Sequence, residues 1–248
     1  MTLLATEQLC HTFTDGTDGI RGVSVSFSKN EFVVIAGKNG SGKTVLMLHL
    51  NGLLKPTSGT VRYRGAALEK NLQLVRQKVG LVFQEPAQQL LGQTVEDDVA
   101  FGPENLGLSL NEVSDRTCVA LKNLGIAHLA ERQPHFLSGG EKRKVALAGV
   151  MAMAPEIVIL DEPFAGLDLP GVSMILDAMI LLYKQGHTII VITHDIRKVV
   201  AHATRLLVMD DGSIVADGNP AAVIDQVEEF GIRGMAPGEK IGDMTWLR

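Results

Sequence analysis

The sequence predicts an α/β protein in which a parallel sheet forms the core, an antiparallel β-subdomain precedes it and a helical subdomain is inserted into it. Three observations lead there. Short apolar, β-branched runs occur at Phe32-Val-Val-Ile-Ala36, Ile157-Val-Ile-Leu160 and Thr188-Ile-Ile-Val-Ile-Thr193, the pattern of strands buried on both faces of a parallel sheet. The first run opens into a glycine-rich turn and then a helix-like segment, Val45-Leu-Met-Leu-His-Leu50. The stretch from 90 to 152 instead carries helical apolar spacing, in Asn111 to Asn123 and again in Glu141 to Ala152.

Taken in chain order, residues 1–30 alternate polar and apolar around the turn signals Asp15-Gly16 and Asp18-Gly19, which separate Leu9–Phe13 from Val23–Phe27. That pattern predicts an antiparallel hairpin. The two late apolar runs end in polar residues, Asp161 and His194, and Gly171 to Gln185 between them has helical spacing. Open α/β sheets bind ligands at such carboxyl ends of strands. After Pro220 the chain is punctuated by glycine and proline, so 221–248 reads as a helix plus a tail following one domain over 1–220. No internal repeat is seen.

With 248 residues, 46% of them hydrophobic and 21% charged, the chain is long enough for one large domain with its own core. Lys and Arg total 23 against 28 Asp and Glu, a formal charge of −5 with no long basic stripe. Nucleic-acid binding through phosphate neutralisation is thereby excluded as the main activity. Two distant cysteines, Cys10 and Cys118, predict a reducing, cytoplasmic compartment rather than a disulfide framework. The first ten residues lack the basic and apolar regions of a secretory leader. The longest apolar stretch, Val145 to Ala154, is about half of a bilayer span, so work at a membrane needs another chain as anchor.

Gly37-Lys-Asn39-Gly40-Ser41-Gly42-Lys43-Thr44 has the spacing G-x-x-x-x-G-K-[ST], after a buried strand and before a helix. In such a phosphate loop, glycines let backbone amides converge on phosphate oxygens, the lysine reaches the β- and γ-phosphates, and the hydroxyl ligates Mg²⁺. The predicted core is thus that of a P-loop NTPase. Asp161 and Glu162 end a hydrophobic strand; the first is the expected Mg²⁺ partner and the second is placed to orient or deprotonate a water. Ser138, followed three residues later by Glu141, forms a capping box that any helix could use. Gly139 and Gly140 behind it also leave the helix amides open to an anion.

Four motifs in one order resemble the ATP-binding cassette (ABC) ATPases: the phosphate loop at 37–44, Gln84 in Val82-Phe-Gln84-Glu-Pro86, Leu137-Ser138-Gly139-Gly140, and the acidic strand at 157–163. Ala165-Gly166-Leu167-Asp168 is similar to that family's D-loop, and Thr193-His194-Asp195 to its switch histidine. The resemblance covers residues 3–220. It implies two ATPase subunits head to tail, with ATP on Lys43 and Thr44 of one contacted by Ser138 and Gly140 of the other. Gln84 would touch Mg²⁺ and the attacking water, His194 would hold the γ-phosphate and Glu162, and Asp168 would connect the two sites. Phe13 stands where the family stacks an aromatic on adenine, and it also suits a hairpin core.

The segment from Val82 to Leu91, then Thr94–Pro103 and Asn105-Leu-Gly-Leu108, resembles the energy-coupling factor importers, as does Val145-Ala-Leu-Ala-Gly149. That group serves uptake of cobalt, nickel, biotin and other vitamins. It implies a second ATPase subunit, identical or paralogous, a transmembrane coupling subunit and a small substrate-binding membrane subunit, with this chain peripheral on the cytoplasmic face of the membrane. One departure stands out: Glu85-Pro86-Ala87-Gln88-Gln89 replaces the group's Asn-Pro-Asp-Asp-Gln, in a segment expected to receive the coupling subunit. A soluble cassette with a non-transport task such as cluster assembly is the other reading, though such proteins lack the 94–108 pattern. A kinase on the same core leaves Leu137–Gly140 and His194 unexplained.

Overall fold

Side chains alternate along a strand, so a strand covered on both faces must be apolar at every position. The computed structural model describes residues 1–247; Arg248, the end of the expected tail, lies outside the described residues. Its first half holds β1 (Thr2–Thr12), β2 (Asp18–Ser28), β3 (Phe32–Ala36), α1 (Lys43–Leu50), β4 (Ser58–Tyr63), β5 (Ala66–Ala67), α2 (Leu72–Lys78), β6 (Val79–Val82), α3 (Val95–Asn105) and α4 (Leu110–Asn123). Then come α5 (Gly139–Ala152), β7 (Ile157–Asp161), α6 (Leu169–Lys184), β8 (Thr188–Thr193), β9 (Arg205–Asp210), β10 (Ser213–Gly218) and α7 (Pro220–Val223).

The strands form two sheets. One has the order β10-β9-β3-β8-β7-β6, parallel except for the antiparallel β9–β10 pair; the other is antiparallel, in the order β2-β1-β4-β5. Period-two alternation sorts the parallel sheet's side chains into two cores. Phe32, Val34, Val158, Leu160 and Val191 face α5, α6 and the C-terminal segment. Val33, Ile35, Ile157, Ile159 and Ile192 face α1 and the antiparallel sheet, where they meet Leu4, Leu9 and Phe27. The expected α/β architecture, with its antiparallel subdomain and helical insertion, is what folds.

Helices α3, α4 and α5 pack on one another beside the parallel sheet. Each begins on a side-chain cap: Thr94, Ser109 and Ser138 all form reciprocal capping boxes with an acid three residues on, which satisfies two orphan amides per helix. The segment expected as a helix plus a tail is tied to the rest of the domain. From Pro220 on, only four of the described residues are α-helical; a 3₁₀ segment over Ile224–Phe230 follows, and the chain then wraps back onto residues 196–202. Met244 is buried, and Trp246 packs on the core with Lys198 over its ring.

Candidate active site

The turn after β3 is shaped by glycine. Gly42, at φ 95°, caps α1, and a Cβ there would lie 2.5 Å from the Gly19 carbonyl oxygen, so both conformation and space demand glycine. The turn lets the first residues of α1, whose amides have no helical partner, line a cleft of about 420 Å³. Asn39, Gly40, Ser41, Gly42, Lys43 and Thr44 form one side of that cleft, Gln84, Asp161 and Glu162 another, and Phe13 its rim. Gly37 lies beneath, where its carbonyl accepts from Lys43 Nζ at 2.7 Å; the Lys38 carbonyl accepts from the same ammonium at 2.9 Å.

Burial pushes the pKa of Lys43 down, while the carboxylates of Glu162 and Asp161 oppose the shift. Asp161, at the end of β7, accepts from Thr44 Oγ1 at 3.0 Å. Burial raises its carboxyl above the usual 3.8, Glu162 adds to the rise, and Thr44 and Lys43 pull it back. Hydroxyl, carboxylate and the Gln84 amide make an all-oxygen donor set at one wall of the cleft, the set a hard ion such as Mg²⁺ takes.

Glu162 adopts φ 43°, the left-handed region that costs a side-chain-bearing residue energy. Its surroundings hold it there. The backbone amide donates to Ile192 O at 2.8 Å, Oε2 accepts from Thr193 Oγ1 at 3.0 Å, and Oε1 accepts from the His194 amide at 3.0 Å. His194 Nδ1 lies 2.8 Å from the same Oε1. An ionised carboxylate only accepts, so Nδ1 carries the proton and Nε2 is left for another partner. Glu162 and His194 are therefore in contact, the pairing the resemblance implies, although His194 stands outside the residues lining the cleft.

Phe13 is 42% exposed and meets His11 edge to face, with ring centroids 4.8 Å apart. A Cβ on Gly19 would lie 2.8 Å from its ring, so the Asp18-Gly19 turn is what admits the phenyl group. Asp18, Gly19 and Val45 also line the cleft. Sequence reasoning saw the first two only as a turn, because nothing local says that a hairpin tip reaches the phosphate loop.

Two predicted groups are not in the cleft. Ser138, Gly139 and Gly140 begin α5 elsewhere on the surface, where Ser138 Oγ lies 2.8 Å from Glu141 Oε2 and its amide donates to the same oxygen at 2.8 Å. Asp168 caps α6, accepting from the Gly171 amide at 3.0 Å. Arg143, one turn into α5, carries no motif signal of its own in the sequence. Its Nη1 donates to Ala165 O and its Nη2 to Gln84 O, both at 3.1 Å.

A P-loop cleft with a strand-end Asp-Glu pair and a separate glycine-opened helix N-terminus defines a class, the ATP-binding cassette ATPases. Residues 20–165 match the ABC transporter family, and the chain belongs to it. Within that family it resembles the energy-coupling factor group. An energy-coupling factor transporter ATP-binding protein of Methanocaldococcus jannaschii is 45% identical over 231 residues, 92% of this chain and 83% of that protein. The solved structure of cbiO1 from Clostridium perfringens, described as part of the ABC transporter complex cbiONQ, superposes with a TM-score of 0.83 at 39% identity, covering 92% of each chain. A dimeric cassette in a post-hydrolysis state bound to ADP and Pi superposes at 0.79 with 27% identity, over 88% of this chain and 98% of that one. The chain is thus an ATP-binding, ATP-hydrolysing cassette, and no helix among the described residues is long and apolar enough to cross a membrane.

Proposed function

We propose that this chain powers an energy-coupling factor importer for a metal ion such as cobalt or nickel, or for a vitamin such as biotin, from the cytoplasmic face of the membrane. Its partners in this reading are a second ATPase subunit, identical or paralogous, a transmembrane coupling subunit and a small substrate-binding membrane subunit. Residues 1–220 form the ATPase domain, with 90–152 as its helical insertion, and 221–248 form a C-terminal extension. The observation that carries the reading is the division of the site: the phosphate loop faces Asp161 and Glu162, while Ser138–Gly140 present a second anion-binding end elsewhere.

In the mechanism, the amides of Gly40, Ser41, Gly42 and Lys43 hold the phosphates, Lys43 Nζ leaves its carbonyls for the β- and γ-oxygens, and Phe13 stacks on adenine. Thr44, Asp161 and Gln84 would hold Mg²⁺, which would supply charge neutralisation at the phosphates. Glu162 Oε orients the attacking water and accepts its proton; the ties from Thr193 and His194 keep that carboxylate aimed. His194 Nε2 faces the γ-phosphate. Ser138, Gly139 and Gly140 of a second subunit close over the nucleotide, and Asp168 passes contact between the two sites. Positioning and charge stabilisation supply most of the rate.

An apolar groove of about 660 Å³, lined in part by Leu91, Phe101, Leu106 and Met153, supports docking of the coupling subunit beside the altered 85–89 segment. There Gln89 is turned inward, donating to Leu81 O at 2.7 Å, while Ala87 and Gln88 are exposed. The test is to tag the chain in its native cell, extract membranes in mild detergent and identify co-purifying proteins by mass spectrometry. A polytopic coupling subunit with a small membrane protein is the expected result. Recovery only with soluble partners would overturn the transport reading and leave the ATPase chemistry standing.

A further inference from the structure

Arg143 is only 5% exposed, yet no carboxylate lies within ion-pair distance of it among the described residues. Its guanidinium has two partners, both backbone carbonyls, and its Nε is buried without one. A buried cation held only by carbonyls is an expensive way to fill space. Burial accordingly pushes its pKa down, opposed only by the carboxylate of Glu85.

The two carbonyls belong to different segments around the site. Gln84 lines the cleft. Ala165 sits in the turn between Glu162 and Asp168, its own amide donating to Glu162 O at 3.1 Å. The arginine itself stands one turn beyond Ser138–Gly140 on α5. One planar fork therefore joins the helix that offers the second anion site, the loop that offers the cleft amide and the turn that follows the catalytic acid. Lysine, with a single point charge on a flexible stem, does not reproduce such a fork.

We propose that Arg143 is a positioning residue that sets Gln84 and the Ala165–Asp168 turn against the start of α5, so that displacement of α5 by a bound phosphate is felt by the cleft of its own chain. The proposal rests on the hydrolase reading, in which Gln84 touches the ion and water. It differs from a packing role because a packing role does not act through Gln84.

The test uses the full chain and four proteins: parent, Arg143→Met, Gln84→Ala and the double variant, with Arg143→Lys as a milder substitute if the Met variant does not fold. Measured are kcat, KM for ATP, the Mg²⁺ concentration for half-maximal rate, and equilibrium ATP binding. Arg143→Met is expected to lower kcat by roughly 10–100-fold, the loss that follows from a misplaced reacting group, with ATP binding unchanged and a higher Mg²⁺ requirement. In the double variant the losses should not multiply, because both changes remove one function. Losses that multiply, or an Arg143→Met enzyme with parental kcat and Mg²⁺ dependence, would overturn the proposal. Parental kcat and Mg²⁺ dependence in Gln84→Ala would instead overturn the role given to Gln84, on which the proposal rests.

Discussion

At Asp161 the fold holds a carboxylate whose charge is a cost to the nucleotide-free protein. Its folded pKa lies above the ordinary 3.8 because of burial. The sign follows from linkage: the penalty is absent at low pH and grows as pH rises from 3.8 through the raised folded value. Asp161→Asn is therefore expected to raise the thermal midpoint of the nucleotide-free protein at neutral pH while removing Mg²⁺-dependent turnover, which calorimetry and a phosphate-release assay would check together. A lower midpoint would mean that the attraction between Asp161 and Lys43 outweighs the cost of burying the carboxylate. Glu162→Gln should retain ATP binding and trap an ATP-bound dimer, visible by light scattering, with turnover nearly lost. Parental hydrolysis in that variant would remove Glu162 from its assigned role.

Among the elements, α5 does two things with one end. Ser138 and Glu141 cap it reciprocally, and losing such a cap costs about 1 kcal/mol, so Ser138→Ala should lower stability by that amount in chemical denaturation. Those hydrogen bonds hold the Glu141 pKa below 4.5. Its contribution is thus present above 4.5 and lost as pH falls through the lower folded value, and Glu141→Gln should abolish that part of the acid destabilisation. The C-terminal segment makes its own prediction. Arg197 donates to Glu239 at 2.7 and 2.6 Å, Ser173 Oγ donates to Trp246 O at 2.7 Å, and Met244 is 1% exposed. Met244→Ala is expected to cost about 2–5 kcal/mol, the range for a buried methionine; a change within experimental error would show that the segment contributes little.

For the molecule as a whole, the question is what the two surfaces outside the cleft receive. The start of α5 is read as meeting a second subunit's nucleotide, and the groove around Phe101 as meeting a membrane partner. Phe101 is 50% exposed and Leu91 71%. Phe101→Asp should leave ATP hydrolysis by the isolated chain within about twofold while releasing the membrane partner, since an aromatic anchor carries about 2 kcal/mol or more at such sites. Retained complex after that change would move the docking surface elsewhere.

The sequence by itself determined the chemistry that is local in the chain. The phosphate loop needs eight consecutive residues after an apolar strand, and β3, β7 and β8 are legible because burial on both faces forces continuous apolar runs. The capping residues of α5 and the strand-end acids are equally local. Strands β4 and β6 are short and interrupted by glycine, and β10 is half-exposed, so their pairing is stated only by the sheet. Tertiary structure alone decided that Asp18 and Gly19 of a hairpin reach the phosphate-loop cleft, that Glu162 takes a left-handed backbone and three hydrogen bonds from β8's end, and that Arg143 bridges Gln84 and Ala165 across 59 and 22 residues. The C-terminal segment reads only as a helix plus a tail because its apolar residues are too sparse to show a period; they pack singly on the core, and its hydrogen bonds reach Ser173 and His202. Periodicity records which face of an element is dry, whereas contacts between distant single residues leave no repeat in the chain to be read.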